Sequence, residues 1–132
     1  MLCATREVIH LEPSGAAPGQ ARRAVRRVLG SAAAVDAVVS DDVAQTAELL
    51  VSELVTNAIT HARGTVTVEI DCADHALSVT VSDDEPREPQ LQPERPLADG
   101  GRGLRMIESL AGSWGVRPRK GGQGKDVWFR LP

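Results

Sequence analysis

AELLVSELVTNAITHA, residues Ala47–Ala62, is the stretch on which the reading of this chain turns. Leu50, Val51, Leu54, Val55 and Ala58 recur at the three- and four-residue spacing of a helix with one apolar face. Glu53, Asn57 and His61 fall at i, i+4 and i+8. Each four-residue step advances about 40° around a helix of 3.6 residues per turn, so the three polar side chains form one slowly drifting stripe. That stripe borders the apolar arc. A carboxylate and an amide one turn apart at the edge of a core can face a pocket.

Working outward, Ser40, Asp41 and Asp42 supply an N-cap and first-turn negative charge, which predicts a helix from about Val43 to Ala62. Arg63-Gly64 ends it, with Gly64 as the C′ residue. Upstream, Ala21–Leu29 has helical spacing through Ala21, Ala24, Val25, Val28 and Leu29. Its other face carries Arg22, Arg23, Arg26 and Arg27. That basic face suits either a solvated helix surface or a docking face for an acidic protein partner. Nucleic acid is disfavoured, because one short basic patch on a chain of net charge −3 is a weak footprint. Ser31–Ser40 extends that helix or connects it to the next. Glu12–Gly19 is rich in Pro and Gly and predicts a turn, and Arg6–Leu11 predicts a short strand.

Downstream, Thr65–Cys72 and Ala76–Asp83 alternate apolar and polar residues and predict two strands joined at Ala73-Asp74-His75. Residues Asp83–Asp99 contain Pro86, Pro89, Pro93 and Pro96 and predict a long loop of the lid or binding type. Gly100–Gly103 leads into a helix marked by Leu104, Ile107, Leu110 and Ala111. Trp114–Arg117 and Val127–Leu131 predict two last strands around a Gly/Lys turn. Hairpin-linked strands with helices between them predict an α+β fold: a two-layer sandwich with helices on one face of a mixed, mostly antiparallel sheet.

At 132 residues the chain is expected to form one domain, 1–132, with the loop at 84–99 as its lid. Trp114, Trp128 and Phe129 are the only aromatics, too few for base-stacking platforms. The two cysteines, Cys3 and Cys72, do not make a disulfide framework, and two free thiols in a reducing compartment are expected. Arg6 and Glu7 interrupt any signal-peptide core, and no apolar run approaches the ~20 residues of a membrane span. A cytoplasmic protein without membrane attachment is the expectation.

Gly121–Asp126 (GGQGKD) lacks the first glycine and the final hydroxyl residue of a P-loop, and Gly101–Met106 (GRGLRM) lacks the third glycine of a dinucleotide fingerprint. No Cys/His cluster has zinc spacing. Three other pieces remain. Glu53 can orient or deprotonate a water or hydroxyl, and Asn57 can complete the oxygen shell of Mg²⁺ beside phosphates. Asp83, at a strand end, can accept from an exocyclic amine such as that of adenine. The helix start at Gly100–Gly103 offers backbone N–H groups to phosphate oxygens.

Together these motifs resemble the GHKL (Bergerat-fold) ATPase superfamily, in its branch of bacterial anti-sigma-factor serine/threonine kinases. SELVTNAITHA resembles the N-box, VTVSDDEP the start of the G1 box, GGRGLRMIESLAGSWGV the G2 box and following helix, and GKDVWFRL the last strand. The similarity covers about Val8 to Leu131. It implies the Bergerat ATP-binding fold, with ATP and Mg²⁺ as cofactors. It also implies Glu53 as general base, Asn57 as Mg²⁺ ligand, Asp83 on the adenine amino group, and Gly101, Arg102, Gly103 and Leu104 around the phosphates. His61 matches a position one turn past the Asn, with a bracing role ahead of direct nucleotide contact. The implied partners are a sigma factor and an anti-anti-sigma (STAS-domain) antagonist whose serine or threonine is phosphorylated. Family members are often dimers, which makes a homodimer an expectation.

The chain departs from the family pattern at two places. The G1 aspartate is normally followed by two spaced glycines; here Asp84, Glu85, Pro86 and Arg87 follow Asp83. A Thr is expected before the last strand, and Asp126 stands there, with Arg102, Arg117 and Lys125 as cations able to offset its charge. Both changes bear on nucleotide affinity rather than on the fold. The leading expectation is an ATP-dependent protein kinase acting as an anti-sigma factor. The alternative is a catalytically weak or inactive interaction module of the same fold that sequesters a protein partner. A stand-alone ATPase ranks third, because no added domain is visible to couple hydrolysis to motion.

Overall fold

The computed structural model describes residues 5–34, 40–61, 64–73, 76–85, 111–119 and 123–131. The elements run β1 (Thr5–Leu11), α1 (Ala17–Ala34), α2 (Asp41–His61), β2 (Val66–Ala73), β3 (Ala76–Asp83), β4 (Ser113–Pro118) and β5 (Lys125–Leu131). The five strands form one sheet in the order β1-β2-β3-β5-β4, and every pairing among them is antiparallel. Both helices pack on one face of it. This is the expected α+β two-layer sandwich. The expected mostly antiparallel sheet is antiparallel throughout its described strands.

The core lies between the layers. α2 buries Ala47, Leu50, Val51, Leu54, Val55 and Ala58, the arc the helical spacing singled out. α1 buries Ala17, Ala21, Ala24, Val25, Val28 and Ala32. Its small residues bring the helix axis close to its neighbours, because little side-chain volume separates the backbones. Alternate residues of the strands supply the opposite wall: Val66, Val68, Ile70 and Cys72 of β2, Leu77, Val79 and Val81 of β3, and Val127, Phe129 and Leu131 of β5. Register makes these rows continuous, since Val68 faces Val81 and Val81 faces Val127.

The helix starts are set locally. The Ser40 hydroxyl accepts from the Val43 N–H at 3.2 Å, and its carbonyl accepts from Ala44 at 3.0 Å. Ser40 is therefore the N-cap of α2, with Asp41 and Asp42 in the first turn. α1 begins at Ala17, inside the span expected to be a turn. Pro18 is tolerated because the first turn of a helix has no intrahelical partner for its N–H groups. The Ser14 carbonyl and hydroxyl receive the N–H groups of Ala17 and Ala16.

The basic face of α1 is tied into the molecule. Arg22 donates to the Ser52 hydroxyl at 2.7 Å, Arg26 pairs with Glu48 of α2, and Arg27 forks onto Glu7 of β1. Among the described residues no helix is long and apolar enough to cross a membrane. The expected helix after Gly103, the loop beyond Glu85 and His75 lie outside the described residues.

Candidate functional site

α2 positions the first part of the site. Glu53 and Asn57 are half-buried and flank the buried Leu54, Val55 and Ala58. They stand one turn apart, about 6 Å along the axis at 1.5 Å per residue. His61, the last residue of α2, is exposed. The other side of these turns is solvated, with Thr56 and Thr60 returning their hydroxyls to the carbonyls four residues earlier.

β3 positions the second part. It ends at Asp83, and β2 begins at the same end of the sheet, since Thr67 faces Ser82. A four-residue link from His61 to Val66 therefore carries the end of α2 to the Asp83 end of β3. Gly64, in that link, lies beside Asp84: a Cβ there would sit 3.2 Å from an Asp84 carboxylate oxygen. The polar end of α2 and the Asp83 end of the sheet thus share one end of the molecule. Gly101, Arg102, Gly103 and Leu104 lie outside the described residues, as does the loop 86–99.

Asp83 is 2% exposed, and its neighbour across the ladder is Lys125, 7% exposed. Residues directly opposite in an antiparallel pair project from the same face. The Lys125 ammonium accordingly reaches Asp83 Oδ1 at 3.0 Å and also donates to the Glu85 carbonyl at 2.9 Å. The same Oδ1 accepts the Glu85 N–H at 2.9 Å, a short turn that folds the chain back at the strand end. Burial pushes the Asp83 carboxyl above the usual carboxylate range, and the Glu85 N–H and the Lys125 ammonium counter part of that shift.

Gly124 makes this contact geometrically possible. Its φ is +135°, and a Cβ on it would lie 2.0 Å from the Asp83 carbonyl oxygen. Only glycine fits that backbone conformation and that approach. Its carbonyl accepts from the Arg119 N–H at 2.9 Å and closes the hairpin between β4 and β5.

The last strand begins two residues earlier than the sequence reading placed it, at Lys125 rather than Val127. β5 starts at Lys125, so the residue beside Asp83 is Lys125 and not Asp126. Asp126 projects from the opposite sheet face, where it is flanked by Ser82 and Arg117 in the ladder. Its charge lies on the face opposite Asp83. Of the three cations named to offset negative charge there, Lys125 does so at Asp83. Arg117 lies across from Asp126, and Arg102 is outside the described residues. The signal available in sequence was the alternation of β5 itself: Val127, Phe129 and Leu131 share a face with Lys125 by period two.

The donor set suits oxygen-ligand chemistry. An amide oxygen at Asn57 fits a hard cation that takes its other ligands from water and phosphate. Glu53 one turn away fits a proton acceptor. The Asp83 end suits an amine donor, but there the carboxylate already holds Lys125.

A family model described as histidine kinase-like ATPase domain matches residues 15–131. No curated protein matches the chain. Among solved structures, the chain is similar to the RsbU and RsbW domains of Rv1364c from Mycobacterium tuberculosis, with 19% sequence identity and a TM-score of 0.65. The match covers 95% of this chain and 32% of that one, so the chain spans about a third of the length of that relative. At such identity the likeness is one of fold.

Proposed function

The chain belongs to the histidine kinase-like ATPase domain family, and from that membership we propose that it is an ATP-binding regulatory protein, an anti-sigma factor with serine/threonine kinase activity toward a STAS-domain antagonist. The observation that supports the reading is the family match over residues 15–131, with Glu53 and Asn57 one turn apart on α2 and Asp83 at the end of β3.

In this reading Asn57 holds Mg²⁺ by its amide oxygen, and the metal, when bound, offsets the negative charge of the phosphates. With ATP bound, Glu53 would accept the proton of the incoming serine or threonine hydroxyl as that oxygen bonds to the γ-phosphorus and the bond to the ADP leaving group breaks. Asp83 accepts from the adenine amine. Gly101, Arg102, Gly103 and Leu104 line the phosphates, and His61 braces the end of α2. Partners are proteins, a sigma factor and an anti-anti-sigma (STAS-domain) antagonist, met in the cytoplasm. A second copy of the chain completes a homodimer.

Titration of ATP with and without Mg²⁺ tests the reading. Binding below millimolar nucleotide is expected, and its absence would return the chain to a pure partner-sequestering module. The engagement of Asp83 by Lys125 is the observation that favours that second reading. Once binding is established, Glu53→Ala should keep nucleotide affinity and lower phosphate transfer to a STAS protein by roughly 10²–10⁴-fold, the usual contribution of a positioned general base. Undiminished transfer removes Glu53 from the mechanism.

A further inference from the structure

Asp83 and Lys125 are the buried charged residues of the described core, and they hold each other. A buried ion pair contributes little net stability, because desolvating both charges consumes most of their attraction, and apolar replacements of such pairs are often neutral or stabilising. Holding the sheet together does not explain it: Val79–Phe129 and Val81–Val127 pack the same two strands without charges. The pair sits instead at the end of β3, where the loop toward residue 86 begins, in the position read above as the base-recognition carboxylate.

The chemistry at that position is specific. An ammonium and an exocyclic amine both present N–H donors to a carboxylate. Lys125 reaches Asp83 Oδ1 and the Glu85 carbonyl together, so its head group spans the strand end and the first residues of the following loop. The backbone is shaped to bring it there, through a glycine at φ +135° pressed against the Asp83 carbonyl. An amine that approaches the carboxylate competes with a cation that cannot leave cheaply, because an ammonium without its partner in a buried site is strongly disfavoured.

We infer that Lys125 is a built-in occupant of the base-recognition position, so that an adenine amine meets an Asp83 carboxylate whose charge the Lys125 ammonium already offsets at Oδ1. This rests on the ATP-site reading of Asp83. Lys125 thereby sets how tightly, and with what base selectivity, the domain takes a nucleotide. In the wild type the 6-amino group meets a carboxylate already neutralised by the ammonium and gains almost nothing from it. With Lys125 removed, the amine meets a carboxylate held by the Glu85 N–H but no longer by a cation, and becomes a determinant of affinity.

The experiment compares ATP with the same triphosphate whose 6-amino group is replaced by hydrogen, on the wild type and on Lys125→Thr, by calorimetric titration of the full chain. The wild type is expected to bind the two nucleotides within about twofold of each other, because a carboxylate neutralised by the ammonium adds little to an amine's affinity. Lys125→Thr is expected to bind ATP about tenfold or more tighter than the wild type and to prefer it over the amine-free analogue by a similar factor, the equivalent of one charge-assisted hydrogen bond. Strong preference of the wild type for the amine overturns the inference, and that arm stands even if Lys125→Thr does not fold. ATP binding by the variant no tighter than by the wild type also overturns it, while leaving the ATP-site reading intact. GTP binding the wild type more tightly than ATP, with the order lost in Lys125→Thr, would make the ammonium a ligand of the base carbonyl rather than an occupant, and overturns it too. Failure of both proteins to bind any nucleotide is the separate outcome that removes the ATP-site reading, and the inference with it.

Discussion

Asn57 and Glu53 occupy a rim that is neither core nor open surface, and the chemistry proposed for them depends on that. A fully buried carboxylate would resist ionisation, and a fully exposed amide would hold a metal without exclusion of water. Asn57→Ala should weaken Mg²⁺-dependent ATP binding by about tenfold, the loss of one charge-assisted contact, and leave metal-free binding unchanged. Parallel titrations with and without metal check this; equal loss in both removes Asn57 as a ligand. Both residues were legible in the sequence because four-residue spacing on a helix is a local property. The partner of Asp83 was not legible. It lies 42 residues away, and a shift of one residue in strand register exchanges the two faces of the sheet. Asp126 and Lys125 are adjacent in sequence, yet only the ladder decides which charge stands beside Asp83. Cys72 carries a similar lesson: burial pushes its thiol up, followed by the nearby Asp71 charge, which makes it a small core residue rather than a reactive one.

At the scale of the element, strands and helices fall close to where their patterns put them. β3 spans the predicted Ala76–Asp83, and α2 begins two residues before the predicted Val43. The start of α2 follows from Ser40, whose hydroxyl caps the Val43 N–H. Ser40→Ala should cost about 1 kcal/mol of stability, read from the urea midpoint with an unchanged slope, while Ser40→Asp should retain most of it. The start of α1 was harder to place, because Pro and Gly at Pro18 and Gly19 look like turn residues and only the Ser14 contacts reveal a helix N-terminus. Its arginines were open to two readings. Arg22, Arg26 and Arg27 each bond to α2 or β1. Exposed pairs of this kind are worth ~0.2–1 kcal/mol, so they guide the packing of α1 more than they stabilise it.

For the molecule as a whole, two layers mean that neighbouring residues of one strand live in different worlds. Phe129 is fully buried between sheet and helices, whereas Trp128 lies on the far face against Gly115, where a Cβ would come within 2.9 Å of its ring. Phe129→Ala should therefore cost about 3–5 kcal/mol, the usual range for a deeply buried aromatic, and Trp128→Ala markedly less. Urea denaturation of the two variants checks it, and equal losses would mean that the far face is covered as thoroughly as the near one. By itself the sequence determined the helical stripe of Glu53, Asn57 and His61, the alternation of the strands and the α+β class, because each depends on residues within a few positions of one another. Tertiary structure alone decided that β5 inserts between β3 and β4, that Lys125 rather than Asp126 meets Asp83, and that Arg22, Arg26 and Arg27 of α1 bond to α2 and β1. Those outcomes depend on register and on contacts between distant segments, which are chosen by the burial of whole faces at once and leave no mark at any single position.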